Sequence, residues 1–319
     1  MEIGPGAGTR GMTVLAVTSV IRGSPKGASH GAVHLLDIAK GRVAQVVDWK
    51  APGVDWSAPG GGRGLRGMAF DGKRVFLAGA DALYSFTPEF ELLAVYRSPY
   101  LSHCHEMASF EGRLYLTSAA YDSILGFDLN ENRFSWGLQI VDGNAGLQGT
   151  PFDPQSTLGP SADRELGLNS LWCDPRGMFI SGSRSQGLLY FDARQIVRLV
   201  SLPRGVQNAR PWRDGVLFND TEGKVARFIT PDSNRVFQLP RYPAEVLTGA
   251  SEEGAAEAQQ RFARGLCVID QSVFAVGSSP ATIALHNLDT MKTTRSINFG
   301  TDPRHSIHSI AVWPYAVPD

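Results

Sequence analysis

Six polar residues occupy equivalent points of a repeated strand pattern, and their types are those that bind and transform small charged molecules. Each stands at the start of a run of mostly apolar residues. In chain order they are Arg66, His105, Asn169, Asn208, Arg264 and His308. Guanidinium groups form paired hydrogen bonds to carboxylates and phosphates, and imidazoles change protonation near neutral pH. The set predicts a site for a small anionic molecule.

The arginines and the histidines of this set suggest different tasks. We expect Arg66 and Arg264 to hold a carboxylate or phosphate group of the substrate. His105 and His308 would act as general acid and base. Alternatively, they would bind one divalent transition metal ion, because imidazole is a good ligand for Zn²⁺ and Fe²⁺.

Two residues break the pattern of the positions that follow. The residue directly after the polar one is small in five of the six repeats, whereas Glu106 occupies it in the other. The next position is apolar except for Arg210. A carboxylate in a tight slot must be paired, hydrogen-bonded or protonated, and such exceptions concentrate at functional sites. We expect Glu106 to tune His105 in catalysis, and Arg210, oriented by Asp220, to bind substrate. Structural salt bridges are the alternative.

The pattern that positions these residues is a repeat of roughly 40 residues. The stretch from His105 to Leu129, HEMASFEGRLYLTSAAYDSILGFDL, contains two strands joined by a turn and then a third strand. Related stretches begin at Arg66, Asn169, Asn208 and Arg264. Short strands repeated at this spacing indicate an all-β chain folded as a β-propeller.

The two ends of the chain complement each other. Residues 12–50 contain matches to the second, third and fourth strands of the repeat, TVLAVTSV, AVHLLDI and RVAQVVDW, but lack the first. The missing strand is HSIAVW, which begins at His308. We therefore expect a single domain over residues 1–319 with six four-stranded blades. The C-terminal strand would complete the N-terminal blade and close the ring, which leaves no exposed radial gap between blades.

Two insertions interrupt the repeats, at residues 141–167 and 243–263. The first is rich in Gly, Pro, Asn and Ser, which predicts a long irregular loop. In the second, Ser251 followed by two Glu predicts a short helix. Each insertion joins the outermost strand of one blade to the innermost strand of the next, so both should border the same mouth of the central channel.

Composition narrows the possible partners. A formal net charge of -1 gives no reason to expect nucleic acid or an anionic membrane. No apolar run has the length of a membrane span or of a signal-peptide core. The three cysteines form no CxxC motif, which favours a reducing, cytoplasmic location. The sequence also lacks the motifs of nucleotide-cofactor sites and of nucleophilic hydrolases.

The segments LNSLWCDPRGMFISGS and QNARPWRDGVLFNDT resemble strand pairs of six-bladed propellers of the gluconolactonase/SMP-30 and strictosidine-synthase type. In the gluconolactonase-like proteins the metal ligands come from this first-strand position, and Asn is among them. The resemblance therefore implies Asn169 and Asn208 as metal ligands, and we also expect them to contact substrate. The six equivalent polar positions are called the polar column. That family also has carboxylates in this column, whereas this chain has His105, His308 and two arginines there. A transition metal is therefore expected in place of calcium.

Two functions fit these observations. The first is an enzyme that acts on a small anionic or sugar-derived substrate in the channel by hydrolysis, elimination or isomerisation. The second is a non-catalytic propeller that binds a ligand, or a partner protein on its rim. The unusual residues concentrate in the predicted channel, which favours the enzyme.

Overall fold

The structure is a computed structural model, and it describes residues 13–51, 63–144, 146–162, 164–248 and 260–316. Six antiparallel sheets form the blades of a β-propeller, as predicted. Within the described residues no helix is long and apolar enough to cross a membrane. The helix expected after Ser251 falls outside the described residues, and the described part of that insertion contains a short 3-10 helix, η1 (Ala244–Val246).

The strands of each blade are given from the channel outward, numbered in chain order. The first blade contains β25 (His305–Val312), β1 (Val14–Ile21), β2 (Gly31–Asp37) and β3 (Arg42–Asp48). The second contains β4 (Met68–Asp71), β5 (Arg74–Ala78), β6 (Leu83–Phe86) and β7 (Leu92–Tyr96). The third contains β8 (Met107–Phe110), β9 (Arg113–Ser118), β10 (Ser123–Asp128), β11 (Arg133–Gly143) and β12 (Gly146–Phe152).

The remaining three blades have four strands each. The fourth contains β13 (Leu168–Asp174), β14 (Gly177–Gly182), β15 (Gly187–Phe191) and β16 (Ile196–Ser201). The fifth contains β17 (Val206–Trp212), β18 (Gly215–Asp220), β19 (Val225–Thr230) and β20 (Ser233–Gln238). The sixth contains β21 (Leu266–Val268), β22 (Val273–Ser278), β23 (Thr282–Asn287) and β24 (Lys292–Asn298).

The predicted ring closure is confirmed. β25 pairs antiparallel with β1, from Ile21 opposite His305 to Leu15 opposite Val312. It also contacts β4 of the second blade and β21 of the sixth, so the strand from the C-terminus lies between its neighbours like the other innermost strands. Both ends of the chain therefore hold one blade together.

The third blade differs from the prediction. Part of the insertion expected to be an irregular loop forms β12, which extends the blade to five strands. β11 continues to Gly143 and pairs with β12 along its length, from Gly137 opposite Phe152 to Gly143 opposite Gly146. Because an extended strand has backbone groups that need partners, a returning segment can pair with it even when its composition is typical of loops.

The apolar core lies between blades. Six clusters of buried residues each combine side chains of two adjacent blades. For example, Phe76 of the second blade and Phe127 of the third are fully buried with ring centroids 6.1 Å apart. This packing holds the innermost strands in a ring, and the residues at their starts face one central space.

Candidate functional site

Three of the six polar residues lie where strand pairing is interrupted. The register of β25 against β1 shifts at His308, and that of β13 against β14 shifts at Asn169. The register of β17 against β18 shifts across Asn208 and Ala209, and Asn208 has a positive φ of 55°. A β-bulge removes the extra residue from the ladder and redirects its side chain. Here the bulges occur at the channel end of the innermost strands.

The other three polar residues precede their strands by two positions. The N–H groups of Arg66 and Arg264 donate to the carbonyls of Ala78 and Gly277 at 2.8 and 2.9 Å, which continues the pairing beyond the regular ladder. The backbone N–H of His105 donates to Thr117 Oγ1 at 3.0 Å. Each of these side chains is thus attached to the rigid second strand of its own blade.

The residue directly after each polar one is small, except Glu106, because adjacent blades approach each other closely there. A Cβ at Gly67 would lie 2.8 Å from Met107 Cγ of the neighbouring blade. Gly265 has a φ of +73° and its position faces the backbone of His308, so a side chain there would be both strained and crowded. Adjacent blades therefore come too close at this level for larger residues.

The two histidines of the column stack against each other. The rings of His105 and His308 have centroids 5.4 Å apart and an interplanar angle of 19°. Arg264 Nη1 donates to His308 Nε2 at 2.7 Å. Because a guanidinium can only donate, Nε2 is the acceptor and His308 carries its proton on Nδ1. The structure thus places Arg264, His105 and His308, which come from three different blades, in one group.

Two further residues, Arg22 and Phe262, belong to this group and were not predicted. The Cζ atoms of Arg22 and Arg264 lie 4.6 and 4.7 Å from the centroid of the Phe262 ring. Such cation–π contacts position guanidinium groups while leaving their N–H groups able to bind another molecule. Arg22 directly follows the end of β1, the second strand of the first blade.

The protonation states of the group follow from burial and from the crowding of positive charge. Burial lowers the pKa of Arg66 to about 10. Burial, together with the charges of Arg66 and Arg22, lowers the pKa of Arg264 to about 9, so both guanidinium groups stay charged at neutral pH. Burial and the charges of Arg66 and Arg264 hold the pKa values of His105 and His308 well below 6.5. Both imidazoles are neutral at pH 7.

Two neighbouring cavities share the lining residues His105, Phe262 and Arg264. The smaller, of about 280 Å³, is called the first lobe. Its charged or ionisable lining residues are Arg22, Arg66, His103, His105, Arg264 and His308. The larger, of about 440 Å³, is called the second lobe. Its polar lining residues are His105, Arg164, Asn169, Ser183, Arg184, Gln207, Thr221, Glu222 and Arg264.

Glu106 and Arg210 do not line either lobe; they pair with each other. Arg210 Nη2 donates to Glu106 Oε1 at 2.9 Å, and the N–H of Leu171 donates to Glu106 Oε2 at 3.0 Å. Burial raises the pKa of Glu106, and the charge of Arg210 opposes that rise. Both carboxylate oxygens of Glu106 thus have partners other than His105, and the predicted tuning of His105 stays a prediction. The alternative reading, a structural salt bridge, describes this pair.

Asp220 is also placed differently from the prediction. Its carboxylate accepts hydrogen bonds from Arg227 Nε and from the N–H of Gly223, both at 2.7 Å. It therefore orients a turn of its own blade and not Arg210. The sequence pattern placed Asp220 and Arg210 on neighbouring strands correctly, but Arg210 reaches across to the third blade instead.

The two asparagines connect adjacent blades. Asn169 Nδ2 donates to the Val206 carbonyl at 3.0 Å. Asn208 Oδ1 accepts from Asn219 Nδ2 at 3.1 Å and from the N–H of Gly265 at 2.9 Å. Asn169 lines the second lobe, whereas Asn208 lines neither lobe. The amide oxygen of Asn208 therefore already accepts two hydrogen bonds within the protein.

This set of donors fits a divalent metal ion poorly. The Nε2 atom of His308 accepts from Arg264, and the stacked rings of His105 and His308 do not converge on one point. Positive charge surrounds both imidazoles. In the described part of the chain no group of three or more His, Cys, Asp or Glu side chains could hold a metal. The predicted metal site stays a prediction, and no step below depends on it.

Comparison with known proteins supports the fold. No protein-family model and no curated protein matches the chain. A solved chain of the nidogen/laminin complex superposes with a TM-score of 0.59 at 11% identity, covering 95% of this chain and 98% of that one. A protein of unknown function from Bacteroides caccae gives a TM-score of 0.55 at 10% identity, covering 94% and 98%. These similarities show the propeller fold alone, and the gluconolactonase resemblance stays a prediction.

Proposed function

We propose that the first lobe binds a small carboxylate or phosphate and that the protein is an enzyme that transfers a proton on this ligand. The observation that carries the proposal is the lining of the first lobe. It consists of three arginines, three histidines and mostly small or apolar residues, and no Asp or Glu is among its described lining residues. Crowded cations that lower one another's pKa are stabilised when an anion enters.

The arginines would hold the anion and the imidazoles would carry the proton. Guanidinium forks match carboxylates and phosphates, and a hydrogen bond to a charged group contributes about 1.5–3 kcal/mol. A neutral imidazole can accept a proton, and the charge of an anion bound between the arginines would raise the low pKa of His105 and make it a better base. His105 is the candidate base, because it borders both lobes, whereas His308 already uses Nε2 to accept from Arg264. Arg264 is thus a positioning residue for His308 as well as an anion contact.

This arrangement favours elimination or isomerisation. The base removes a proton from the carbon next to the carboxylate, and the electron pair of the C–H bond moves into the carboxylate. The resulting enediolate is stabilised by the arginines, which lie where negative charge increases. Elimination then expels a leaving group with its bonding electron pair from the adjacent carbon, whereas isomerisation returns the proton to the opposite face of the same carbon and inverts it. Hydrolysis by water activated on His105 would use the same residues but would not need the charge of the enediolate to be stabilised.

Two measurements test this proposal. Thermal-shift titrations with D-gluconate, D-glucuronate and glucose 6-phosphate would compare wild type, Arg66→Ala and Arg264→Ala, with the exposed Arg133→Ala as control. Loss of one arginine should weaken binding about tenfold or more, at 1.4 kcal/mol per decade. Exchange of ligand hydrogen for deuterium in D2O, followed by NMR, should disappear in His105→Gln while anion binding persists. Equal stabilisation of all four proteins would refute the anion site.

A non-catalytic propeller is the second candidate, supported by a different surface. Leu92, Leu93 and Val95 on β7 are 54%, 55% and 42% exposed, so this outermost strand presents an apolar surface to solvent. Exposed apolar patches are typical of protein-interaction sites. Anion binding without any deuterium exchange in wild type would favour this function.

A further inference from the structure

The second lobe extends the anion site in a direction that the proposed function does not use. His105, Phe262 and Arg264 line both lobes, so the two cavities meet at these three residues. A ligand anchored on Arg264 in the first lobe would therefore lie beside the second lobe. The lobes have volumes of about 280 and 440 Å³, and together they are in the size range of small-molecule pockets.

The second lobe has its own positive charges. Arg164 and Arg184 line it, and Glu222 is the one carboxylate among its described lining residues. The charge of Arg164 also affects the first lobe, because it contributes to lowering the pKa of Arg66 and of His105. Arg164 and Arg184 are both exposed at the mouth, whereas Arg66 in the first lobe is only 6% exposed. The site therefore has a buried cationic end and an open cationic end.

A buried amide also lines the second lobe. Gln207 is 6% exposed and lines this lobe, and its side chain hydrogen-bonds to no other described residue. Buried polar side chains are normally hydrogen-bonded, and those that are not commonly face a ligand or water. Asn169, also in the lobe, already donates to the Val206 carbonyl. The Gln207 amide could therefore hydrogen-bond to a hydroxyl or carbonyl group of a ligand in the second lobe.

We propose, on the basis of the proposed function, that the ligand carries two anionic groups, one held by Arg22, Arg66 and Arg264 and the other by Arg164 and Arg184. The part between them carries a hydroxyl or carbonyl group within reach of Gln207. The inner group contacts arginines that are buried or partly buried and contributes most of the affinity. The outer group is bound by exposed arginines, which contribute less and select for length and charge.

The test is a calorimetric titration with straight-chain dicarboxylates of four to eight carbons and with the monocarboxylates of matching length. A second arm compares 6-phosphogluconate with gluconate, which tests whether a phosphate can serve as the outer group. Wild type should bind the best dianion about tenfold more tightly than its matched monoanion, with a maximum at one chain length. Exposed ion pairs contribute up to about 1 kcal/mol each, so Arg164→Ala and Arg184→Ala should each lose about three- to fivefold for the dianion.

The variants separate the two proposals. Arg164→Ala/Arg184→Ala should bind dianions and the matched monoanions with equal affinity. Arg264→Ala should weaken binding of both, and Arg176→Ala, an exposed arginine at the opposite end of the blades, should change neither. Equal affinity of wild type for monoanions and dianions would overturn the two-anion proposal while leaving the anion site intact. Absence of binding by any anion would overturn both.

Discussion

The ion pair between Glu106 and Arg210 is expected to stabilise the ring and not to take part in chemistry. It joins residues 104 positions apart in sequence, from the third and fifth blades. Glu106 also accepts from the backbone of Leu171 in the fourth blade, so one carboxylate contacts three blades. The side chains of Arg210 and Glu106 are 12% and 11% exposed, and the Arg210 guanidinium lies 5.1 Å from the ring of Trp172.

The expected loss of unfolding free energy is that of breaking a buried ion pair. Removing one partner leaves an uncompensated charge away from water, which typically costs about 3–5 kcal/mol. We expect Glu106→Gln to lie at the lower end, about 3 kcal/mol, because the amide can still accept from Leu171. Arg210→Met should cost a similar amount. Since domains of this kind are stable by about 5–15 kcal/mol, both variants should fold but unfold at much lower urea concentration.

The assay is a double-mutant cycle. Urea unfolding at pH 7, monitored by tryptophan fluorescence, would give the free energies of unfolding of wild type, both single variants and Glu106→Gln/Arg210→Met. The double variant should lose less than the sum of the singles, by about 1–3 kcal/mol, because neither charge is then left alone. Anion affinity should be unchanged in all four proteins. A Glu106→Gln protein with wild-type stability and no deuterium exchange would refute this reasoning and return Glu106 to the catalytic residues.

Three further predictions concern closure, pH and metal. Deletion of residues 305–319 removes β25 and should abolish cooperative unfolding in calorimetry; an unchanged transition would contradict the closed ring. Burial lowers the pKa values of His34 and His286 to about 4, so the unfolded chain binds protons first as the pH falls. The contribution of these histidines to the free energy of unfolding should be fully present above about pH 6.5. Below that pH it should fall toward pH 4 by about 1.4 kcal/mol per pH unit for each histidine. His286→Phe keeps the contacts with Phe237 and Phe274 and should reduce that slope by the contribution of one histidine, about 1.4 kcal/mol per pH unit. An unchanged slope would refute the low pKa of His286. Wild type should show no thermal shift with Zn²⁺ and no bound metal by elemental analysis, since Arg264 occupies His308 Nε2; stoichiometric metal would restore the predicted metal site.

The architecture could be predicted from the sequence because its signals are local. Strand alternation and turn residues recur within each stretch of roughly 40 residues, and the first strand missing near Met12 appears at His308. The polar column was visible for the same reason, since its members hold one position in every repeat. The register shifts that turn Asn169, Asn208 and His308 toward the channel left no such signal, although they occur at the positions that the column identifies.

Tertiary structure decided which side chains meet. Nothing near Glu106 in sequence indicates Arg210 as its partner, because the width of the channel and the stagger of the blades set that contact. Arg22 and Phe262 come from a turn and from an insertion, and only the closed ring places both beside Arg264. Composition also could not show that the insertion after Gly143 would pair as a strand, because pairing depends on the exposed edge of β11. Periodicity therefore determined the blades and the column, whereas charge pairing and the two lobes depend on distances between blades that no local pattern encodes.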